Sequence, residues 1–89
     1  MLTDKQIEMM DILQEECAEV IQAVSKIRRF GLKDKYGNKD NNHDILIQEI
    51  GDVVAMIKVL LDSGLFTEDD IVKATELKLK KLEKWSTVF

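Results

Sequence analysis

"DILIQEIGDVVAMIKVLLDSG", residues 44–64, decides how this chain folds. Its apolar residues recur every three or four positions and never alternate with period two, so the stretch is a helix and not a strand. Asn41 or Asn42 stands ahead of it as a cap, and Gly64 follows as a stop, which predicts a helix ending at about Asp62. With Ile45 set to zero and about 100° of turn per residue, its apolar positions run from about 320° round to about 180°. A helix apolar over more than half its circumference is buried on several sides. Yet Glu49 falls at about 40° and Asp52 at about 340°, with Met56 between them at about 20°. The polar side, with Gln48, Lys58 and Asp62, lies elsewhere, at about 220° to 300°. Two carboxylates projecting from an apolar face are costly unless they are paired, protonated or bound to a cation.

The segments on either side extend the helical reading. Upstream, "TDKQ" (residues 3–6) has the form of a capping box with Thr3 as the cap and Gln6 reaching back. The helix it opens runs to about Arg29, with Gly31 just beyond. "GLKDKYGNKDNN", residues 31–42, is polar and turn-rich and reads as a loop. Downstream, Thr67 caps a third helix whose first turn holds Glu68, Asp69 and Asp70 and whose lysines continue to its end near Trp85, the polarity a helix dipole favours. There is no proline. The predicted fold is all-α, with three main helices in a single domain covering residues 1–89. One chain offers too few helices to cover the second one, so a four-helix-bundle-type core is expected from homo-oligomerisation, as a homodimer or homotetramer. Val53, Val54, Ile57 and Leu61 are expected at or near that seam.

Composition narrows the function. The formal net charge of −4, from 17 acids and 13 bases, argues against a partner such as a nucleic-acid polymer or an anionic membrane. Cys17 is the only cysteine, which excludes a disulfide scaffold and makes a reducing cytoplasm the expected location. No apolar run is long enough to span a bilayer, and the first residues lack a signal-peptide pattern.

The first helix carries acids of its own in "EECAE", residues 15–19. With Ile7 at zero, Met9, Met10, Leu13, Cys17, Val20, Ile21, Val24 and Ile27 fill a stripe from about 200° to about 320°. Glu16, at about 180°, and Glu19, at about 120°, border that stripe, whereas Glu15, at about 80°, is more exposed. Residues three apart on a helix are neighbours. Glu16-x-x-Glu19 and Glu49-x-x-Asp52 therefore each form a two-carboxylate claw. On facing helices the claws would make a four-carboxylate nest, whose mutual repulsion a hard cation relieves. An all-oxygen donor set suits Mg²⁺, with Mn²⁺ as the alternative. A bland reading remains for "EECAE" taken alone, since glutamate is a good helix former and solvated acids are common.

Other metal chemistries do not fit. A di-iron bundle needs Glu-x-x-His pairs, and the only histidine, His43, has Asp40 and not a glutamate three positions before it. The stretch from Asp34 has Lys39 and Ile45 where a calcium loop needs its glycine and its bidentate glutamate. Cys17 lies at the core angle and reads as packing.

"EECAE" followed on the next helix by "EIGD" (residues 49–52) resembles the EExxE…ExxD signature of the MazG-like all-α nucleoside triphosphate pyrophosphohydrolases. These are related in fold to the dimeric dUTPases and the dCTP pyrophosphatases. The resemblance extends from about residue 8 to the lysine-rich last helix. "SKIRRF" stands where such proteins often carry tryptophans. The resemblance implies Mg²⁺-dependent hydrolysis of a (d)NTP to the (d)NMP and pyrophosphate, by an enzyme that is a dimer or tetramer. It implies Glu16, Glu19, Glu49 and Asp52 as metal ligands, and Glu15 and Glu16 as the acids serving the attacking water. A substrate of this kind also needs cationic partners. With Ile71 at zero, Lys78 falls at about 340°, among Ala74, Thr75, Leu82 and Trp85. It either snorkels past the core or points at the acids and their substrate. Lys81, Lys26 and Arg29 are further candidates. Tyr36 or Trp85 would stack on a base, against the plainer readings of surface loop and core packing. The loop from Leu32 to Asn42 is expected to bear on base preference. Two rivals stand beside the enzyme: a non-catalytic helical oligomeric interaction module with the same fold, and a metal-binding structural bundle.

Overall fold

The computed structural model describes residues 1–33 and 41–88. Among these there are three helices and no strand: α1 (Asp4–Phe30), α2 (Asn42–Asp62) and α3 (Glu68–Trp85). The expected caps are in place. Thr3 Oγ1 accepts from the Gln6 N–H at 3.0 Å, and Gln6 Oε1 accepts from the Thr3 N–H at 3.1 Å. Thr67 and Asp70 repeat the box at α3, at 3.1 and 3.0 Å. These reciprocal bonds satisfy N–H groups that a helix start otherwise leaves without partners. α1 stops where Gly31 takes φ 84°, and α2 stops at Ser63 followed by Gly64 at φ 80°, a backbone region that side chains with a Cβ avoid.

Of the two asparagines ahead of α2, Asn41 is the cap, accepting from the Asp44 N–H at 2.9 Å. Asn42 does something else. It is buried, and its Nδ2 donates to the Gly31 carbonyl at 3.0 Å, while the His43 N–H donates to the Leu32 carbonyl at 2.9 Å. The end of α1 is thus clipped to the start of α2. At the opposite end Gln6 Nε2 donates to the Ser63 carbonyl at 3.3 Å, so α1 and α2 lie antiparallel as a hairpin. His43 is exposed, with Nδ1 at 3.3 Å from Asp44.

Helices α1 and α2 pack along their lengths, and α3 has no comparable packing with either. Among the described residues only Ala23 and Leu60 are buried apolar residues, at 3% and 1% exposure, and α3 buries none. The chain is 47 × 35 × 16 Å, and its short dimension is little more than one helix diameter of about 10–12 Å. Its radius of gyration is 16.1 Å, against about 12 Å for a compact chain of this length. Its 7407 Å² of accessible surface likewise exceeds the roughly 5,300 Å² of a compact monomer of this mass. One chain is therefore a single layer of helices.

That geometry corrects the reading of the α1 stripe as core. The side of the stripe facing α2 is half-buried at Leu13, Val20 and Ile27. The far side stays open, with Met10, Val24 and Ile21 at 39%, 45% and 70% exposure. Cys17 is exposed as well, on the wall of an apolar groove shared with Val20, Ile21, Ile50, Val53 and Val54. Two helices alone cannot enclose a stripe more than 100° wide on each of them.

Candidate metal centre

The antiparallel hairpin sets the two claws opposite each other. Glu16 and Glu19 on α1, and Glu49 and Asp52 on α2, each offer an oxygen, and these oxygens all lie within 4.8 Å of one another. Each pair is three residues apart, so both members leave the same side of their helix, one turn from each other. Glu16 and Glu49 are half-buried and form the floor, while Glu19 and Asp52 are exposed and form the rim. The four acids singled out on sequence grounds as metal ligands are thus brought together in space.

The electrostatics of the nest are those of four acids crowded together, an arrangement that could hold a cation. Glu16 Oε2 and Glu49 Oε2 are buried and accept no hydrogen bond. Ionised carboxylates are acceptors only, so without a proton or a cation these oxygens have nothing to bind. The Glu49 carboxyl is pushed up to about 7 from its ordinary 4.5; a hydrogen bond with Glu19 is the chief cause, followed by desolvation and the charges of Glu19, Asp52 and Glu16. The Glu16 carboxyl is also raised, first by desolvation and then by the charges of Glu19 and Asp52. Every neighbour acting on these two groups is another acid. Among the described residues the side-chain ion pairs are His43–Asp44 and Lys73–Asp69, and neither involves the nest. Four oxygen donors without a basic partner fit a hard divalent cation such as Mg²⁺ or Mn²⁺.

The remaining candidates are placed differently. Glu15 is exposed on α1 and stands outside the group of four. Lys26 is exposed on α1, seven residues after Glu19 and so on the same side about two turns along. Lys78 and Lys81 are exposed on α3, and a single chain does not carry that helix alongside the nest. Lys78 lies on α3's open face beside Ile71, Ala74, Thr75 and Leu79. Trp85 is not core: it is 77% exposed, with Lys84 Nζ 5.2 Å from its ring centroid. Arg29 lies 5.2 Å over the Phe30 ring. Tyr36 and most of the loop around it lie outside the described residues. The structural residue that sequence reasoning passed over is Asn42. Its signal was the doubled asparagine at 41–42, one more than a cap requires.

No helix among the described residues is long and apolar enough to cross a membrane. Residues 4–87 match the family model of the MazG nucleotide pyrophosphohydrolase domain. Neither the curated proteins nor the solved structures give a significant match.

Proposed function

Because the chain belongs to the MazG nucleotide pyrophosphohydrolase domain family, we propose that it hydrolyses a nucleoside triphosphate, ribo- or deoxyribo-, to the monophosphate and pyrophosphate with the help of Mg²⁺. The observation that carries this reading is the convergence of Glu16, Glu19, Glu49 and Asp52 within 4.8 Å, with two buried oxygens lacking any partner. These four would hold the metal. When bound, the ion neutralises phosphate oxygens and lowers the pKa of a coordinated water.

The chain's own residues do the rest. Glu49, on the floor, must give up any proton it holds before the site can accept a cation, so binding competes with protonation there. Glu19 and Asp52, at the rim, face the solvent from which substrate arrives. Glu16 and the neighbouring Glu15 are the carboxylates within the first motif that would orient the water and take its proton. Lys26, on the same side of α1, would meet a phosphate oxygen.

A homo-oligomer is part of the proposal. The single-layer shape, the excess surface and the apolar groove walled by Cys17, Ile21, Ile50 and Val54 support it. A second hairpin laid on that groove would turn two helices into four. The test is pyrophosphate release from each common ribo- and deoxyribonucleoside triphosphate, with Mg²⁺ and with chelator. Mg²⁺-dependent formation of monophosphate and pyrophosphate in equal amounts is expected. Absence of turnover on every nucleotide would leave a non-catalytic helical module.

A further inference from the structure

We infer that Gln6 is a positioning residue for the metal centre: its side-chain amide pins the register of the α1–α2 hairpin and so keeps the two acid pairs opposite each other. This rests on the reading of the nest as a metal site and names what holds that site in shape.

The acids converge in one register of the hairpin. Their oxygens lie within 4.8 Å of one another, whereas sliding one helix along the other by a single turn moves it about 5.4 Å. Apolar stripes resist such a slide weakly, because they repeat with every turn and one aliphatic contact replaces another. A directional polar bond has no second position one turn away, and a single polar residue can set the register of paired helices.

Among the described residues, two side chains reach from one helix of the hairpin to the end of the other. Gln6, in the first turn of α1, donates from Nε2 to the carbonyl of Ser63, the C-cap of α2, at 3.3 Å. Asn42, the first residue of α2, donates from Nδ2 to the carbonyl of Gly31, the C-cap of α1, at 3.0 Å. Carbonyls at a helix end have no partner within their own helix, so each amide meets an acceptor left open.

The Gln6 bond lies in step with the nest. Glu16 is ten residues after Gln6, and Asp52 is eleven before Ser63. Glu19 is thirteen after Gln6, and Glu49 is fourteen before Ser63. At a rise of about 1.5 Å per residue, the two arms of each pair differ by about 1.5 Å. Glu16 therefore meets Asp52, and Glu19 meets Glu49, across the seam.

α3 shows that capping by itself does not call for an amide. The matching position of its capping box is held by Asp70, a carboxylate. In α1, Gln6 Oε1 makes the same bond with the Thr3 N–H, which leaves the amide N–H groups free to cross to Ser63.

Gln6→Glu separates the two roles. A glutamate completes a capping box as a glutamine does, but it has no N–H for the Ser63 carbonyl and sets an acid beside Asp62. The added charge, about 15 Å from Glu16 along the helix, is largely screened and in any case favours a cation. Weaker binding would therefore report position and not charge. By isothermal titration of the fully folded protein, Gln6→Glu should bind Mn²⁺ about three- to tenfold more weakly, with unchanged helical circular dichroism. Thr3→Ala, which removes the cap hydroxyl and keeps the amide, should melt at a lower temperature yet bind Mn²⁺ as wild type does. Wild-type affinity in Gln6→Glu, or an equal loss in Thr3→Ala, overturns the inference. A wild type that binds no Mn²⁺ overturns the metal reading instead, and a second measurement judges the register without metal. Spin labels at Asp11→Cys and Lys58→Cys, in a Cys17→Ser background diluted with unlabelled chains, read the distance between the helices by double electron–electron resonance. Gln6→Glu should broaden that distribution or shift it by up to one turn, about 5 Å; an unchanged distribution overturns the inference.

Discussion

Lowering the pH from about 8 to about 6 should weaken Mg²⁺ binding about tenfold, and Glu49→Gln should remove that dependence. The figure follows from the geometry of the nest. A hydrogen bond with Glu19, burial and the charges of Glu19, Asp52 and Glu16 hold a proton on Glu49 up to a pH of about 7. At pH ~8 only about a tenth of the metal-free molecules carry it, and at pH ~6 about nine-tenths do. A cation must displace that proton, so its apparent affinity scales with the unprotonated fraction. Isothermal titration with MgCl₂ or MnCl₂ in buffers of different ionisation enthalpy reads both quantities. About one proton should be released per ion at pH ~6 and almost none at pH ~8. Glu49→Gln should bind more weakly at both pH values and release much less proton. Wild-type affinity that is flat across this range, or a variant that keeps the slope, would refute the assignment of the raised group to the metal site.

The same proton makes the stability of the metal-free protein depend on pH in an unusual direction. The folded state holds it up to about 7 and the unfolded chain only up to about 4.5, so stability is greatest below that window and falls as pH rises through it. Thermal melts with chelator should show this decline, and Mg²⁺ at neutral pH should reverse it. Asn42→Ala should lower stability by about 1–3 kcal/mol, because a buried donor is lost and the Gly31 carbonyl is left without its partner; chemical denaturation measures this, and an unchanged midpoint would mean the clip is idle. Val54→Glu sets a charge in the apolar groove and should shift sedimentation at low micromolar concentration toward monomer, whereas an unshifted oligomer would move the seam elsewhere.

Much of this was legible in the sequence because it is local. Thr3 with Gln6, and Thr67 with three following acids, specify helix starts through bonds spanning three residues, and the structure makes those bonds. The nest was legible for a related reason. Three-residue spacing puts two acids on one side of any helix, and the apolar neighbours of Glu49 and Asp52 set this pair apart from the helix's polar side. What one sequence could not disclose is the relation between elements distant along the chain. The helical wheel predicts which angles are apolar but not what covers them. Met10, Ile21, Val24 and Cys17 share the stripe's far side and remain open because one chain makes a single layer. Lys78 showed the same ambiguity. Its angle made it either a snorkelling residue or a phosphate ligand, and only the separation of α3 from the hairpin poses the question of a second copy.

The most direct test of the central claim is product analysis with the nest intact and with one oxygen donor neutralised. Wild-type protein and the Glu49→Gln and Asp52→Asn variants are each incubated with Mg²⁺ and a panel of nucleoside triphosphates, and monophosphate, diphosphate, pyrophosphate and orthophosphate are resolved by ion-exchange chromatography. Monophosphate and pyrophosphate in equal amounts are expected from wild type, nothing with chelator, and no turnover by either variant, although both remain folded. Diphosphate and orthophosphate as the wild-type products, or either variant turning over at the wild-type rate, would contradict the claim.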